Sequence, residues 1–245
     1  MQIASLSATL LFAVSAVGAG TSCTDVFPTP GGKSVGIGLV KHASVRIRYE
    51  GLEIQIDPVG RAIAPETDWA LFPKADLILV THEHFDHFDP AAIAALRKEE
   101  TEVFANPAVC GLLGGGVALA NGGTVPWWRE DVSIEAVPAY NTTPGREKFH
   151  PKGRDNGYVL TLGGLRIYVA GDTEDIPEMA AIRDIDIAFL PCNQPYTMTP
   201  AQLAGAAKVI RPKVLFPYHR GDTPEKEIAA ALDGSGIDVR FRGAP

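Results

Sequence analysis

The sequence predicts an α/β fold in which β-sheets are covered by helices, and three observations lead to this prediction. The chain has 245 residues, 46% of them hydrophobic, which is enough to build one substantial core. Its first half carries the alternating apolar and polar residues of half-buried strands. Its second half alternates short apolar runs with Thr-Pro pairs that begin helices, and such an order of elements forms sheets with helices packed on them.

The first predicted elements are a hairpin, a buried strand and a helix. Residues 45–49 and 52–56 alternate in polarity on either side of a Glu-Gly turn, which predicts a β-hairpin with one solvent-exposed face. The apolar run at 77–80 predicts a buried strand. An Asp-Pro pair at 89–90 has the chemistry of an N-cap and a first helical residue, so we expect a helix over 91–96.

The second half is predicted to alternate strands with helices. Its apolar segments predict five strands, at 132–137, 158–162, 165–170, 185–190 and 214–216. Thr-Pro pairs at 199–200 and 223–224 predict the beginnings of two helices, one on each side of the last strand. This order of elements allows the chain to consist of two halves of similar topology.

The amino terminus predicts export. Residues 3–20 form an apolar and small-residue run before the first charged residue, which is typical of a signal sequence. We therefore predict a signal sequence over 1–22, a linker over 23–35 and the main domain over 36–245. A transmembrane anchor is the alternative, although Ser and Thr residues interrupt the run and its length is marginal for a bilayer. The expected location is periplasmic or extracellular, with lipid attachment at Cys23 left open.

The charge of the chain bears on its partners. The formal net charge is -7, which disfavours general binding to nucleic-acid phosphates or anionic lipids. We therefore expect no nucleic-acid partner, and contact with a membrane only through a lipid anchor at Cys23. The expected partner is a small-molecule substrate, and the sequence predicts no particular oligomeric state.

Polar side chains follow five of the predicted strands. Asp57, His82, Asn141, Asp172 and His219 each stand at or just beyond the carboxyl end of an apolar run. The carboxyl ends of strands converge on one edge in sheets with helical crossovers, and ligands tend to bind there. We therefore expect these five side chains to lie close together in a ligand-binding site.

The densest chemical signal is the segment Thr81-His82-Glu83-His84-Phe85-Asp86-His87, which holds half of the six histidines. His82 and His84 project to the same side of an extended turn and can share one metal ion. Asp86 and His87 follow a bend and can hold a second ion, since imidazole and carboxylate clusters are typical of zinc and iron sites. Two neighbouring ions can hold a bridging hydroxide, because metal binding lowers the pKa of water to about 7. Such a site would hydrolyse substrates near neutral pH.

This segment resembles a family motif. His82, His84, Asp86 and His87 match the H-x-H-x-D-H pattern of the metallo-β-lactamase-fold superfamily, and the resemblance extends over about 36–242. It implies a four-layer αββα sandwich that holds a dinuclear metal site. Imidazole ligands in this pattern favour two divalent ions of zinc as the cofactors.

The resemblance also implies roles for residues outside the segment. Asp57 resembles the buried aspartate that orders the metal loop of the family. Asp172 resembles the aspartate that bridges the two ions, and His219 resembles a ligand of the second ion. Asp86 would bind the second ion together with His87 and could also orient the hydroxide, so Asp86 and Asp172 are the candidate catalytic residues.

The first metal site departs from the family pattern. Where the superfamily has a further metal histidine, this chain has a Tyr-Asn pair at 140–141. We expect His150 to join His82 and His84 at the first ion. Two alternatives remain open: a weak contact from the side-chain oxygen of the asparagine, or a site formed by the two histidines and Asp172 alone.

The resemblance implies a type of activity without a substrate. The chain is similar to an uncharacterised branch near the ascorbate-phosphate lactonases and the N-acylphosphatidylethanolamine phospholipase D group, so we expect hydrolysis of an ester, lactone, amide or phosphodiester bond. The alternatives are a mononuclear iron enzyme that uses oxygen and a non-catalytic metal-binding protein. His42, near the first hairpin, is expected to be a structural residue and not a ligand.

A basic loop adds a hypothesis about the substrate. Residues 142–157 carry Arg146, Lys148, Lys152 and Arg154 against two carboxylates, in a chain that is acidic as a whole. Near a dinuclear site this excess of positive charge could receive the phosphate or carboxylate group of an anionic substrate. A solvated loop is the alternative.

Overall fold

Fourteen β-strands form two seven-stranded sheets in residues 25–243, the part of the chain that the computed structural model describes. The strands of the first sheet, β1 to β7, are Asp25–Pro28, Ser34–Lys41, Ser44–Tyr49, Leu52–Ile56, Leu77–Val80, Glu102–Ala105 and Val117–Ala118. The strands of the second sheet, β8 to β14, are Thr124–Pro126, Val132–Ala139, Asp155–Leu162, Leu165–Val169, Ile187–Pro191, Val214–Tyr218 and Asp238–Val239. The α-helices α1 to α4 are Pro90–Leu96, Pro107–Leu113, Pro200–Ile210 and Glu225–Ala231.

Both sheets follow the same plan. In the first sheet β1 to β4 are antiparallel neighbours and β4 to β7 are parallel ones. In the second sheet β8 to β11 are antiparallel and β11 to β14 are parallel. The chain therefore consists of two halves of similar topology, as the predicted order of elements allowed. In each half the parallel strands end at one edge, where the following loops can bring side chains together.

Three apolar clusters separate four layers. Between the sheets, Ile54 of β4 and Phe189 of β12 belong to one continuous core. Val80 of β5 belongs with Ile93 of α1 to a cluster outside the first sheet, and Leu203 of α3 belongs to a cluster outside the second. Burying a side chain of this size contributes about 1.5–3 kcal/mol to stability. The predicted α/β class and the αββα order of layers are confirmed.

Two helices begin at predicted capping residues, α1 after Asp89 and α3 after Thr199, whereas α4 begins at Glu225 with Pro224 as its N-cap and no capping hydrogen bond from a side chain. The side chain of Asp89 accepts hydrogen bonds from the backbone N–H groups of Ala91 and Ala92 at 2.9 and 3.2 Å, before α1. Thr199 and Gln202 form a reciprocal capping box at the start of α3. An N-cap of this kind contributes about 1 kcal/mol, because it satisfies amide groups that have no partner within the helix.

The amino-terminal end of the described chain differs from the prediction. The predicted signal sequence, 1–22, and Cys23 lie outside the described residues. Of the predicted linker, 23–35, residues Asp25–Pro28 form β1 and pair with β2. The ring of Phe27 packs edge-on against Phe216 of the core, with centroids 6.4 Å apart. A strand of four residues is too short to show the alternation that would have revealed it.

The hairpin of β3 and β4 exposes only part of the face that was predicted to be solvent-exposed, with the side chain of Arg48 61% accessible. Arg46 and Glu53, on the face expected to be exposed, have only 2% and 7% of their surface accessible. Arg46 donates two hydrogen bonds to the Glu53 carboxylate, at 2.5 and 2.9 Å, and its guanidinium lies 6.0 Å from the ring centroid of Phe72. The polar alternation here therefore reflects a buried ion pair, because the segment after β4 covers this part of the face.

No helix within residues 25–243 is long and apolar enough to cross a bilayer.

Candidate metal centre

Polar side chains meet where the two sheets present the carboxyl ends of their parallel strands. Asp57 follows β4 and His82 follows β5 in the first sheet, while Asp172 follows β11 and His219 follows β13 in the second. None of these four residues is more than 2% exposed. The region gathers all six histidines of the chain into groups that could hold a metal ion. The strand ends thus come together as the sequence pattern predicts.

The turn before Asp172 depends on a glycine. Gly171 has a φ of 66°, in the left-handed region that favours glycine. A Cβ atom at this position would lie 2.6 Å from the carbonyl oxygen of Asn156, so a larger residue does not fit. The N–H of Gly171 donates a hydrogen bond to the hydroxyl oxygen of Tyr218 at 2.9 Å. These contacts fix the place at which the Asp172 side chain leaves the backbone.

The first candidate position for an ion lies among three histidines, His82, His84 and His150. His82 Nε2 and His84 Nδ1 are 3.1 Å apart, and the ring centroids of His84 and His150 are 5.0 Å apart. One ring nitrogen from each of the three lies within 4.8 Å of the others. The first two histidines face the same point after β5, as their spacing predicts.

Asn141 orients His150. The side-chain Nδ2 of Asn141 donates to the carbonyl oxygen of Tyr196 at 2.7 Å, so its Oδ1 is free to accept. Nδ1 of His150 lies 2.7 Å from that Oδ1 and therefore carries the proton, which leaves the lone pair of Nε2 facing the first position. Of the arrangements that the sequence left open, this geometry matches the one in which His150 takes part, and Asn141 supports it from behind.

A second candidate position lies among Asp86, His87 and His219. His219 Nε2 is 3.4 Å from Asp86 Oδ2, and His87 Nε2 is 3.8 Å from the same oxygen. His42 joins this group, because its Nε2 lies 3.2 Å from Asp86 Oδ2. The expectation that His42 is a structural residue beside the ligands is compatible with this contact. Chain distance concealed the contact, since His42 lies in the turn after β2 and Asp86 after β5.

Asp172 lies between the two groups. Its Oδ2 is 3.4 Å from His150 Nε2 of the first group and 3.3 Å from His219 Nε2 of the second. Its Oδ1 is 3.3 Å from His87 Nε2, also in the second group. The carboxylate therefore faces both candidate positions at once.

Asp57 fixes the histidine segment through hydrogen bonds. This carboxylate is fully buried and accepts hydrogen bonds from the backbone N–H and the hydroxyl of Thr81, at 2.8 and 2.6 Å. It also lies 2.8 Å from Nδ1 of His87, which consequently carries the proton on that nitrogen and presents Nε2 to the second position. Carboxylates that fix a metal-binding imidazole in this way raise its basicity and hold its tautomer.

The distances around Asp172 fit metal coordination better than hydrogen bonding. The Nε2 atoms of His87, His150 and His219 and the Oδ1 of Asp172 are buried and make no hydrogen bond. The three nitrogens lie 3.3 or 3.4 Å from a carboxylate oxygen of Asp172, whereas charge-assisted hydrogen bonds are about 2.7–2.9 Å long. Two ligands of a tetrahedral zinc ion, each about 2.0–2.1 Å from the metal, lie about 3.3–3.4 Å apart. Imidazole and carboxylate donors at this spacing fit divalent ions such as zinc.

Burial controls the charge of the first group. It lowers the pKa of His82 well below the ordinary value, and it also lowers the pKa of His84. The same cause lowers the pKa of His150 to about 4. The three imidazoles are therefore neutral at neutral pH and can bind an ion without losing a proton.

Carboxylates reverse this effect in the second group. Burial disfavours the charged form of His219, but Asp172 and Asp86 outweigh burial and raise the pKa of His219 to about 9. Asp172 and Asp57 likewise outweigh burial at His87 and raise its pKa well above the ordinary value. Without a metal, these two histidines carry protons that an ion has to displace.

We expect zinc binding to release protons from the second group only. The affinity for the ion at that position should rise with pH, most steeply below about 9, because metal-free His219 loses its proton there. The affinity for the ion among the three neutral histidines should stay constant above neutral pH. Calorimetric titration in buffers of different ionisation enthalpy counts the protons, and about two released per pair of ions is the expected result at neutral pH. If zinc binding released no protons, these charge assignments would be wrong.

A cavity of about 500 Å³ opens onto both candidate positions. Its lining includes His84 and His150 of the first group and Asp86 and His219 of the second, with Asp172 between them. Aromatic side chains form much of the remaining wall, namely Phe85, Phe149 and Tyr196. The last two rings pack edge to face with centroids 5.0 Å apart. Isolated rings in loops have no sequence pattern that distinguishes a pocket wall from a core, so the role of these aromatic residues could not be predicted.

Most of the basic side chains in the loop over 142–157 form ion pairs. Arg146 donates to Gln194 at 2.5 Å and lies 3.5 Å from Glu174. Lys152 Nζ is 2.7 Å from Glu178 Oε1. Arg154 donates to both oxygens of the Asp155 carboxylate, at 2.6 and 2.9 Å, and also lies near Glu83. None of the lysines and arginines in the described part of the chain lines the cavity at the candidate positions.

Comparisons with known proteins agree with this geometry. Residues 37–219 match the family model of the β-lactamase superfamily domain. A UPF0173 metal-dependent hydrolase of Ligilactobacillus salivarius is 35% identical over 191 residues, which cover 75% of this chain and 84% of the relative. A protein of the same description from Symbiobacterium thermophilum is 32% identical over 210 residues, which cover 82% of this chain and 89% of the relative.

Solved structures give the same result. The crystal structure of a candidate metal-dependent hydrolase from Parabacteroides distasonis is 55% identical, with a TM-score of 0.86, and the match covers 90% of this chain and 98% of that one. The metallo hydrolase Igni18 of Ignicoccus hospitalis is 24% identical, with a TM-score of 0.67, over 84% of this chain and 94% of that one. The second likeness concerns the fold alone.

Proposed function

This chain belongs to the metallo-β-lactamase superfamily and is a metal-dependent hydrolase, and we propose that it works with two zinc ions held side by side. The observation that carries the proposal is the position of Asp172. One of its oxygens lies 3.4 Å from His150 Nε2 and 3.3 Å from His219 Nε2, so a single atom faces both histidine groups. An oxygen in that position can be shared by two ions.

The proposed ligands divide between the two positions. The first ion is held by His82, His84 and His150, the second by Asp86, His87 and His219, and both by Asp172. Two zinc ions bound there would lower the pKa of a water molecule to about 7 and polarise the bond to be cleaved. The donors are imidazole nitrogens and carboxylate oxygens throughout, which suits zinc.

The residues of the chain orient the reacting groups. The side chain of Asp86 is 18% exposed and borders the cavity, so its carboxylate can accept a hydrogen bond from the attacking water. Asp57 and Asn141 fix the imidazoles of His87 and His150 before the substrate arrives. Because these rings need no reorientation during the reaction, the site is pre-organised.

The cavity supports a substrate that carries an apolar or aromatic group. Phe85, Phe149 and Tyr196 offer ring surface beside the proposed ions. The scissile bond is an ester, lactone, amide or phosphodiester bond, all of which develop negative charge on oxygen during hydrolysis. Since most basic side chains of the loop form ion pairs with carboxylates of this chain, the ions themselves would receive that negative charge, and also any anionic group of the substrate.

We also propose that the enzyme is exported. The support is the apolar run at 3–20, and a lipid on Cys23 would be its contact with a membrane. The mass of the mature chain, which is expected to begin at Cys23, tests this assignment.

Elemental analysis tests the dinuclear site. The purified enzyme is expected to hold about two zinc ions per chain. The variant His84→Ala should hold about one, because it loses a ligand of the first position, while Glu99→Ala, an exposed carboxylate outside the site, should keep both. One iron per chain would replace the proposal with oxygen chemistry, and absence of any metal would replace it with a non-catalytic protein.

A further inference from the structure

His42 occupies a position that the roles assigned so far do not explain. It lies in the turn between β2 and β3, is only 7% exposed, and has a φ of 44°. Its carbonyl oxygen accepts a hydrogen bond from the backbone N–H of His219 at 3.0 Å. This bond joins the first sheet to the loop after β13 of the second sheet and brings the two imidazole rings to a centroid distance of 3.8 Å.

The backbone at this place is strained in a consistent way. His42, Asp57 and His219 all have a φ of 44–46°, although none of them is a glycine. Left-handed backbone costs an ordinary residue roughly 1–2 kcal/mol, and such residues concentrate at functional sites. The turn that carries His42 therefore shares its backbone conformation with the turns of Asp57 and His219, a conformation that Glu50, Trp128, Asp184 and Arg211 adopt outside the site.

The imidazole of His42 reaches Asp86 at the separation of two ligands on one ion. Its Nε2 is 3.2 Å from Asp86 Oδ2, and His219 Nε2 is 3.4 Å from the same oxygen. The 3.2 Å separation lies at the long end of N–H···O hydrogen bonds and close to the spacing of about 3.3–3.4 Å between two ligands of one zinc ion. The ligand atoms of His42, Asp86, His87 and His219 all lie within 4.8 Å of one another, so the four side chains form a group that could hold one ion.

We propose that His42 binds the second ion through Nε2. The inference rests on the proposed dinuclear site and adds a protein ligand to it. The second ion then has five protein ligands, His42, Asp86, His87, His219 and the shared Asp172, while the first ion has four.

Unequal numbers of protein ligands would give the two ions different capacities to bind the substrate. A zinc ion with five protein ligands has little room for a further group, whereas one with four can expand to five-coordination. The substrate oxygen would then bind at the first ion. His150 belongs to that position, and its sequence neighbour Phe149 lines the cavity, so the apolar wall lies beside the ion that receives the substrate.

Chelator competition with zinc on the full mature chain tests the proposal. His42→Ala removes the imidazole, and His42→Gln keeps an N–H that can still donate to Asp86. Both variants are expected to bind the second zinc ion at least about tenfold more weakly, with the first ion unaffected. Glu50→Ala is the matched control, because Glu50 also has left-handed backbone, with a φ of 49°, in an exposed turn. Thermal unfolding of the metal-free proteins shows whether each variant folds.

The possible results separate the inference from the proposed function. If His42→Gln binds the second ion as tightly as the wild-type chain, then His42 acts through a hydrogen bond and the inference is overturned, while the dinuclear site stands. Wild-type affinity for the second ion in both His42→Ala and His42→Gln overturns it as well. A wild-type chain that binds only one ion overturns the dinuclear function itself. Loading with Co²⁺ gives a further readout, since loss of a ligand from a five-coordinate ion strengthens its visible absorption.

Discussion

Asp172→Asn is expected to lower the zinc content from two ions per chain to at most one and to reduce kcat on the order of 10³-fold or more. The amide has the shape of the carboxylate, so the turn after Gly171 can still form. It lacks the negative charge that lies 3.3–3.4 Å from the Nε2 atoms of His87, His150 and His219. Without this charge, two cations at neighbouring positions repel each other with no anion between them.

Asp175→Asn provides the comparison for this variant. Asp175 follows in the same loop but is exposed, so its replacement should leave zinc content and kcat unchanged. Elemental analysis and single-turnover kinetics give the two readouts, and circular dichroism checks the fold. An Asp172→Asn protein that retained two ions and near-normal turnover would remove the shared carboxylate from the proposed site.

Asp57→Asn is expected to weaken binding of the second ion by about 10–100-fold, although Asp57 does not touch that position. The carboxylate now accepts the proton of His87 Nδ1 at 2.8 Å, so Nε2 is the nitrogen that gives up its proton to the ion. An amide that turned its NH₂ group toward Nδ1 would favour the opposite tautomer, with the proton on Nε2, where the ion has to bind. A side chain that does not contact the ion therefore decides whether His87 can act as a ligand.

Asp57→Ala should add a loss of stability. It leaves the backbone N–H and hydroxyl of Thr81 and the Nδ1 of His87 without their buried acceptor, which costs about 3–5 kcal/mol. Urea unfolding of the metal-free proteins measures this difference. The asparagine variant keeps an acceptor for Thr81 and should lose less. Weak zinc binding with near-normal stability in Asp57→Asn supports the tautomer argument, and unchanged zinc binding in both variants would refute it.

Much of the fold was predictable because its signals are local. The helix that begins after Asp89 and the one that begins after Thr199 follow from side chains that bond to N–H groups two or three residues away. The short strand at Asp25–Pro28 gave no such signal, since it is held by pairing with β2 and by Phe27 against Phe216. Those contacts depend on tertiary structure and leave no trace in the nearby sequence.

In the candidate site, too, relations between near neighbours in the chain were predictable and contacts between distant segments were not. His82 and His84 are two residues apart and follow an apolar run, so their joint orientation could be inferred. The approach of His42 to Asp86 joins two turns far apart in the chain and could not. One signal was nevertheless present, because the chain has only six histidines and the other five were already predicted to be ligands.

The basic loop illustrates the limits of counting charge within a segment. Its excess of Arg and Lys left open an anion-binding surface and a solvated loop, because the count included only the loop itself. Arg146 and Lys152 find carboxylates, Glu174 and Glu178, that lie later in the sequence. Net charge over a segment therefore says little about a site until the folded neighbours of that segment are known.

The division of the chain into two similar halves has a consequence for folding. Each proposed ion draws ligands from both halves: the first from His82 and His84 before the midpoint and His150 after it, the second from Asp86 and His87 before and His219 after. Two bound zinc ions would therefore act as a non-covalent crosslink between the halves, which neither half could form alone. Each tenfold rise of free zinc above the dissociation constant would add about 1.4 kcal/mol per ion to the assembled state. The metal supply of the compartment would thus add to the stability that the shared apolar core gives the two halves.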